Sequence, residues 1–204
     1  MSLPFSIFRV DQNLINALRH FLDTKFTKCF EHFHQDAELG IGGGEIHHLI
    51  SGELKLETNP RFHVRGATKI YKRACWEAIG GLWPAPGWDT IDEVKANMLG
   101  WKTYAFPELH LLHHRFTGTE EGLFRDRVKH GVACYVSGYH PLYVAASCLR
   151  RLIKKPHLVG SVGIMYGFLK AHFDHPPRLE DRTYLAYIRS QQLRRLCGMQ
   201  TIWK

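Results

Sequence analysis

The chain has 204 residues, 45% of them apolar and 23% charged, which suits one packed domain with or without an appendage and argues against disorder. Its 27 lysines and arginines outnumber 19 aspartates and glutamates, and most of the excess follows Arg125, so anionic partners are favoured. No zinc-finger, RNP-type or basic-zipper pattern accompanies the charge, which argues against nucleic acid. The five cysteines (Cys29, Cys75, Cys134, Cys148 and Cys197) are odd in number and irregular in spacing. They form neither a disulfide framework nor a C-x-x-C site, and the N-terminus has no signal-peptide pattern, so the expectation is a cytoplasmic protein.

Residues 11–34 read as an amphipathic helix, with Leu14, Leu18, Phe26 and Phe30 at helical spacing. Leu39-Gly-Ile-Gly-Gly-Gly-Glu45 follows, a short strand breaking into glycines at a strand-end turn. The glycines invite a phosphate-loop reading, but no lysine-serine or lysine-threonine pair follows them. A polar hairpin turns at Ser51-Gly52, and residues 63–71 read as strand. Residues 73–79 form a short helix closed by Gly80-Gly81. The proline-rich loop Trp83-Pro-Ala-Pro-Gly-Trp88 leads into a helix from Thr90 to Leu99, with Asp89 as its cap and Thr90-x-x-Glu93 as a capping-box pattern. A strand from Trp101 to Phe106 stops at Pro107, and a second extended piece covers residues 110–115. A helix spans residues 120–130.

Beyond His140 the texture changes, and an architectural boundary is expected there. Two apolar stretches, 142–153 and 158–169, flank the basic break Lys154-Lys155-Pro156. Each is too short to span a bilayer, and the basic flanks suit helices lying on an anionic membrane face or, alternatively, buried against the core. Residues 178–197 form a basic amphipathic helix.

The order of motifs carries more information than any one of them. The chain runs Val64-Arg-Gly66, Tyr71-Lys-Arg73, Ile79-Gly-Gly81, Gly87-Trp-Asp89-Thr90, Gly100-Trp-Lys-Thr103, Pro107-Glu-Leu109 and His113-His-Arg115. This succession resembles the second half of the family-2 glycosyltransferase domain, a GT-A fold. Asp89 falls on the second acid of the family's acidic pair and Trp88 replaces the first. The resemblance implies an α/β architecture: a partial GT-A domain over residues 39–140, preceded by a helical segment at 1–38 and followed by a helical C-terminal appendage at 141–204. It implies transfer of a sugar from a nucleotide-sugar donor to an acceptor hydroxyl, on a glycan or a lipid-linked acceptor, with Asp89 as base. A carboxylate within hydrogen-bond reach makes a hydroxyl a competent nucleophile by taking its proton.

Beside that base, the expectation is that Trp83 and Trp88 stack on a sugar or an acceptor ring, and that Arg65 and Arg73 bind phosphate on a donor or lipid-linked acceptor or else form surface ion pairs. Asp92 is a secondary acceptor-side acid or a solvated helix acid. His113 and His114 approach a divalent cation, manganese or magnesium, or the diphosphate. The family's Asp-x-Asp metal motif occurs nowhere in the chain. The expectation is therefore a truncated polypeptide without its donor-binding half, open to self-association along the exposed sheet edge and to peripheral placement at the inner face of a membrane. Two other classes compete: a non-catalytic module that binds a membrane or a partner chain, and a histidine-based metallohydrolase, which needs three converging ligands.

Overall fold

The computed structural model describes residues 26–50, 53–57, 59–113, 122–152 and 157–203, with the backbone alone at Leu49, Ile50, His113 and His157. The chain is α/β, as the sequence implies: a small mixed sheet with helices packed around it. Strand β1 (Leu39–Ile50) is its centre. On one edge β1 pairs antiparallel with both β2 (Glu53–Leu56) and β3 (Ile70–Tyr71); on the other it pairs parallel with β4 (Lys102–His113). The pairing of Ile50 with Glu53 closes the expected hairpin, although Ser51-Gly52 itself lies outside the described residues.

The glycines do not end the strand. A Cβ on Gly40 would sit 2.5 Å from the Cys75 sulfur, one on Gly42 3.1 Å from Phe33 and Phe106, and one on Gly43 2.6 Å from Val64. β1 runs straight through this tract because neighbours press on it too closely for side chains, so the strand-end turn is replaced by a closely covered central strand.

Residues 63–71 contribute a short 3₁₀ turn, Gly66–Thr68, and two residues of strand where a full strand was expected. β4 merges two expected pieces. Phe106 pairs with Gly44 and His110 with Glu45, so Pro107 to Leu109 bulge out between consecutive partners. Proline lacks the N–H that a ladder position needs and is accommodated in that interruption.

The helix over residues 26–35 (α1) places Cys29 and Phe33 against Leu39, Phe106 and Leu109; residues 11–25 of the expected helix lie outside the described part. Helix α2 (Arg73–Ile79) ends as anticipated, with Gly80 and Gly81 at φ 74° and 73° and their N–H groups bonded to Glu77 and Trp76 carbonyls. Helix α3 (Trp88–Met98) buries Ile91, Val94 and Ala96. Helices α4 (Leu123–Val136), α5 (Pro141–Leu152), α6 (His157–Asp174) and α7 (Arg182–Leu196) complete the chain. Of the expected helix 120–130, residues 120 and 121 lie outside the described part, as do Lys154, Lys155 and Pro156 of the basic break.

Packing continues across His140. Tyr184 and Ile188 of α7, with Trp203, share one core with Phe62, Ile91 and Val94. The Tyr184 hydroxyl donates to the Ser137 carbonyl, and His140 N–H donates to Gln192 Oε1 at 2.7 Å. Helix α7 and Trp203 therefore pack into the same core as Phe62 and α3. Gly131 of α4 faces Gly167 and the backbone of Ile164 in α6, so these two helices meet backbone to backbone. All five cysteines are free thiols; burial pushes that of Cys75 up to about 11 and that of Cys134 up to about 12. Among the described residues no helix is long and apolar enough to cross a membrane.

Candidate functional site

The first turn of α3 lies beside Ile46 of β1 and the turn at Gly66. Gly87, at φ 90°, takes the N-cap position, where its conformation is one that residues with a side chain rarely adopt. The helix thus starts two residues earlier than expected. Asp89 lies inside the first turn and is not the cap, and Glu93 is not free to complete a capping box. The Trp88 ring lies against Gly66, where a Cβ would come within 2.7 Å of the indole. Beside it Asp89 lines a cavity of about 200 Å³ with Ile46, Glu57, Arg65, Gly66 and Ala67. Arg65 bridges two acids there, with Nε 3.2 Å from Glu57 and Nη1 3.8 Å from Asp89. The Asp89 side chain keeps 26% of its surface open. A narrower cleft sharing Ile46, Glu57 and Arg65 continues toward His63, Asn59 and Arg61.

One turn further along α3 the environment inverts. Asp92 and Glu93 are fully buried. Lys69, itself sealed from solvent, places Nζ 2.8 and 2.9 Å from the two Asp92 oxygens and 3.0 Å from Glu93 Oε1. The same ammonium donates to the Asp89 carbonyl and lies 5.3 Å from the Trp88 ring centre. Tyr71 donates its hydroxyl to Asp92. Val64 N–H donates to Glu93 Oε1 at 2.7 Å, and His63 Nδ1 lies 2.8 Å from Glu93 Oε2. Buried carboxylates are tolerable only when paired and hydrogen-bonded in this way.

Burial disfavours a charged His63, but the charge and hydrogen bond of Glu93 outweigh it and raise the imidazole above its ordinary value. Burial raises the Glu93 carboxyl as well, against the opposing pull of His63 and Lys69. Burial and the bond to Asp92 hold the Tyr71 hydroxyl protonated. The network therefore fixes the first turns of α3, and with them the position of Asp89.

Of the residues singled out in the sequence, Asp89, Trp88 and Arg65 come together. Asp92 does not face the cavity and is not solvated; it is consumed by Lys69 and Tyr71. Trp83 lines a separate groove of about 640 Å³ with Tyr135, His172, His175, Arg178 and Glu180. Arg73 is exposed at the start of α2 and lines neither the Asp89 cavity nor the adjoining cleft. His114 and the His113 side chain lie outside the described residues, which contain no group of three histidines, cysteines or acids able to hold a metal ion. Glu57, His63, Lys69 and Tyr71 were not singled out. A signal existed for two of them, since Lys69 and Tyr71 stand two apart in extended chain and so share a face.

Comparison with family models, curated proteins and solved structures gave no match to this chain.

Proposed function

We propose that the chain carries the acceptor side of a family-2 glycosyltransferase, as a partial GT-A domain with Asp89 as the base. The observation that carries the reading is the placement of this one carboxylate. It opens α3 beside Arg65 in a small cavity walled by Trp88, at the point in the motif order where the family has its acceptor-side acid. The cavity is polar along Asp89, Arg65 and Glu57 and aromatic along Trp88, a pairing suited to sugar hydroxyls and to the apolar face of a sugar ring.

In the reaction the acceptor oxygen attacks the anomeric carbon of a nucleotide sugar and its proton passes to the Asp89 carboxylate. The bond from that carbon to the diphosphate breaks, and its electron pair leaves with the diphosphate. A single base opposite the leaving group gives inversion at the anomeric carbon. Lys69 and Asp92 act through α3, by holding its first turns in place. The donor diphosphate and its manganese or magnesium ion need an Asp-x-Asp motif that these residues do not offer, so no step here runs through the cation and the donor is held by groups from elsewhere.

The test is a thermal-shift titration of the purified chain with neutral and amino-sugar oligosaccharides, and separately with nucleotide sugars with and without manganese. The reading predicts stabilisation by a saccharide, lost in Trp88→Ala, and none by the nucleotide sugars. A manganese-dependent shift with a nucleotide sugar alone would overturn the half-domain assignment, and no shift with any saccharide would remove the acceptor site.

A further inference from the structure

Helix α6 is oriented by its small residues. Gly163 and Gly167 let it press on α4, and Ser161 donates to the Cys148 carbonyl of α5 at 2.8 Å. With that side fixed inward, Leu158, Val162, Tyr166, Leu169 and Phe173 fall at spacings of three and four on the outer side. Phe124 of α4 extends the stripe, its ring centre 6.4 Å from that of Tyr166. These six large side chains are between 45% and 83% exposed, Phe173 the most. Soluble surfaces scatter such residues singly; a continuous stripe marks a surface that something covers.

The charge balance of the helical segment that carries the stripe points to what that is. Residues 123–174 contain eight lysines and arginines and only two acids, Asp126 and Asp174. Both acids are already engaged, with Arg127 and Lys170. Arg150 and Arg151 end α5, exposed, and Lys154 and Lys155 follow them in the chain. A second copy docking through these helices would bring the exposed Arg150 and Arg151 toward like charge, which opposes a symmetric contact. An acidic lipid surface instead neutralises them while its acyl region takes the stripe. At 18 residues α6 is about 27 Å long, and with its inner side packed on α4 and α5 only its outer side is open, so it suits the plane of the interface.

We infer that α6, with Phe124, is a docking face for an anionic phospholipid membrane, which the helix enters edge-on with Leu158, Val162, Tyr166, Leu169 and Phe173 in the acyl boundary. The inference stands independently of sugar transfer, because it rests on a different face and is read without any nucleotide or glycan.

The experiment is co-sedimentation of the full chain with vesicles of phosphatidylcholine alone or mixed with phosphatidylglycerol, at low and raised salt, with size-exclusion light scattering on the same samples. Wild type is expected to sediment with the mixed vesicles, less at raised salt, and to remain in solution with phosphatidylcholine alone. Leu169→Asp/Phe173→Asp is expected to lower the vesicle-bound fraction about tenfold or more with an unchanged circular dichroism spectrum. Leu54→Asp, an equally exposed leucine on β2, is expected to bind as wild type does. The proposal is overturned if wild type ignores the anionic vesicles, or if the double variant binds them equally well. It is also overturned if wild type is a dimer that the double variant dissolves, since a second copy would then cover the stripe.

Discussion

The sheet half and the helical half of this molecule treat charge and grease in opposite ways. Between Leu39 and His113 a lysine and two acids are drawn inside and sealed, with Asp92 and Glu93 at 1% and 0% exposure. In α6 large apolar side chains are left outside, and its one lysine, Lys170, is exposed as well. The first arrangement costs desolvation and is recovered only through geometry: Lys69 must meet both carboxylates, and Val64 N–H and His63 must satisfy Glu93. What it achieves is a rigid start to α3. The second arrangement costs nothing in the fold, because the stripe contributes little to the core, and it acquires value only when something covers it. Rigidity around one carboxylate and adhesiveness on one helix are thus separable properties of a single chain.

The separation is broken most severely at Lys69. Lys69→Met leaves two buried carboxylates without their ammonium, and urea denaturation is expected to register a loss of about 3–5 kcal/mol. Adding Asp92→Asn should recover part of that loss, since one of the stranded charges is removed. Phe173→Asp, on the helical half, should change stability by no more than about 0.5 kcal/mol in the same experiment. Next in size is Gly167→Ala at the backbone contact of α6 with α4, where the added methyl meets the Val128 carbonyl; overpacking there is expected to cost about 1–3 kcal/mol.

The pH dependence sharpens the contrast with a smaller effect. His63 binds its proton more tightly folded than unfolded, so its stabilisation is fully present below the ordinary histidine value and is lost as pH rises through the raised one. Glu93, also raised, adds a loss of the same sign between the ordinary carboxyl value and its own. Denaturation midpoints should therefore fall as pH rises from mildly acidic through neutral, and His63→Gln should flatten the histidine part of that slope. Smallest of all is Asp89→Asn. Its side chain is partly open and its ion pair with Arg65 is long, so stability should stay within about 0.5 kcal/mol of wild type.

Where local chemistry decided the structure, the sequence was readable. Gly80-Gly81 closing α2 follows from the left-handed conformation both residues adopt, and β1 and β2 pair on either side of the Ser51-Gly52 turn signal. Where distant groups decided it, the sequence misled. Gly42-Gly43-Gly44 reads as a break because glycine is the usual turn signal; in the fold it is the one residue that fits between Phe33, Phe106, Val64 and the β4 backbone. Asp92 reads as a solvated helix acid because its partners, Lys69 and Tyr71, lie more than twenty residues upstream.

The same limit applies to the candidate site. Asp89, Trp88 and Arg65 were legible from the order of motifs, but Trp83, from the same loop as Trp88, turns to a different groove. Chain proximity says nothing of which side a proline-fixed loop presents. The basic, apolar texture beyond His140 was legible too. Which residues face outward depended on where α4 and α5 pack, and that was not.

The most direct test of the account is isothermal titration of oligosaccharide acceptors into wild type, Asp89→Ala and His175→Ala, each verified as folded. The account predicts binding to wild type, about tenfold or more weaker in Asp89→Ala through loss of a charged hydrogen bond, and unchanged in His175→Ala. Binding that survives Asp89→Ala and disappears in His175→Ala would contradict it, moving the saccharide site to the groove beneath Trp83.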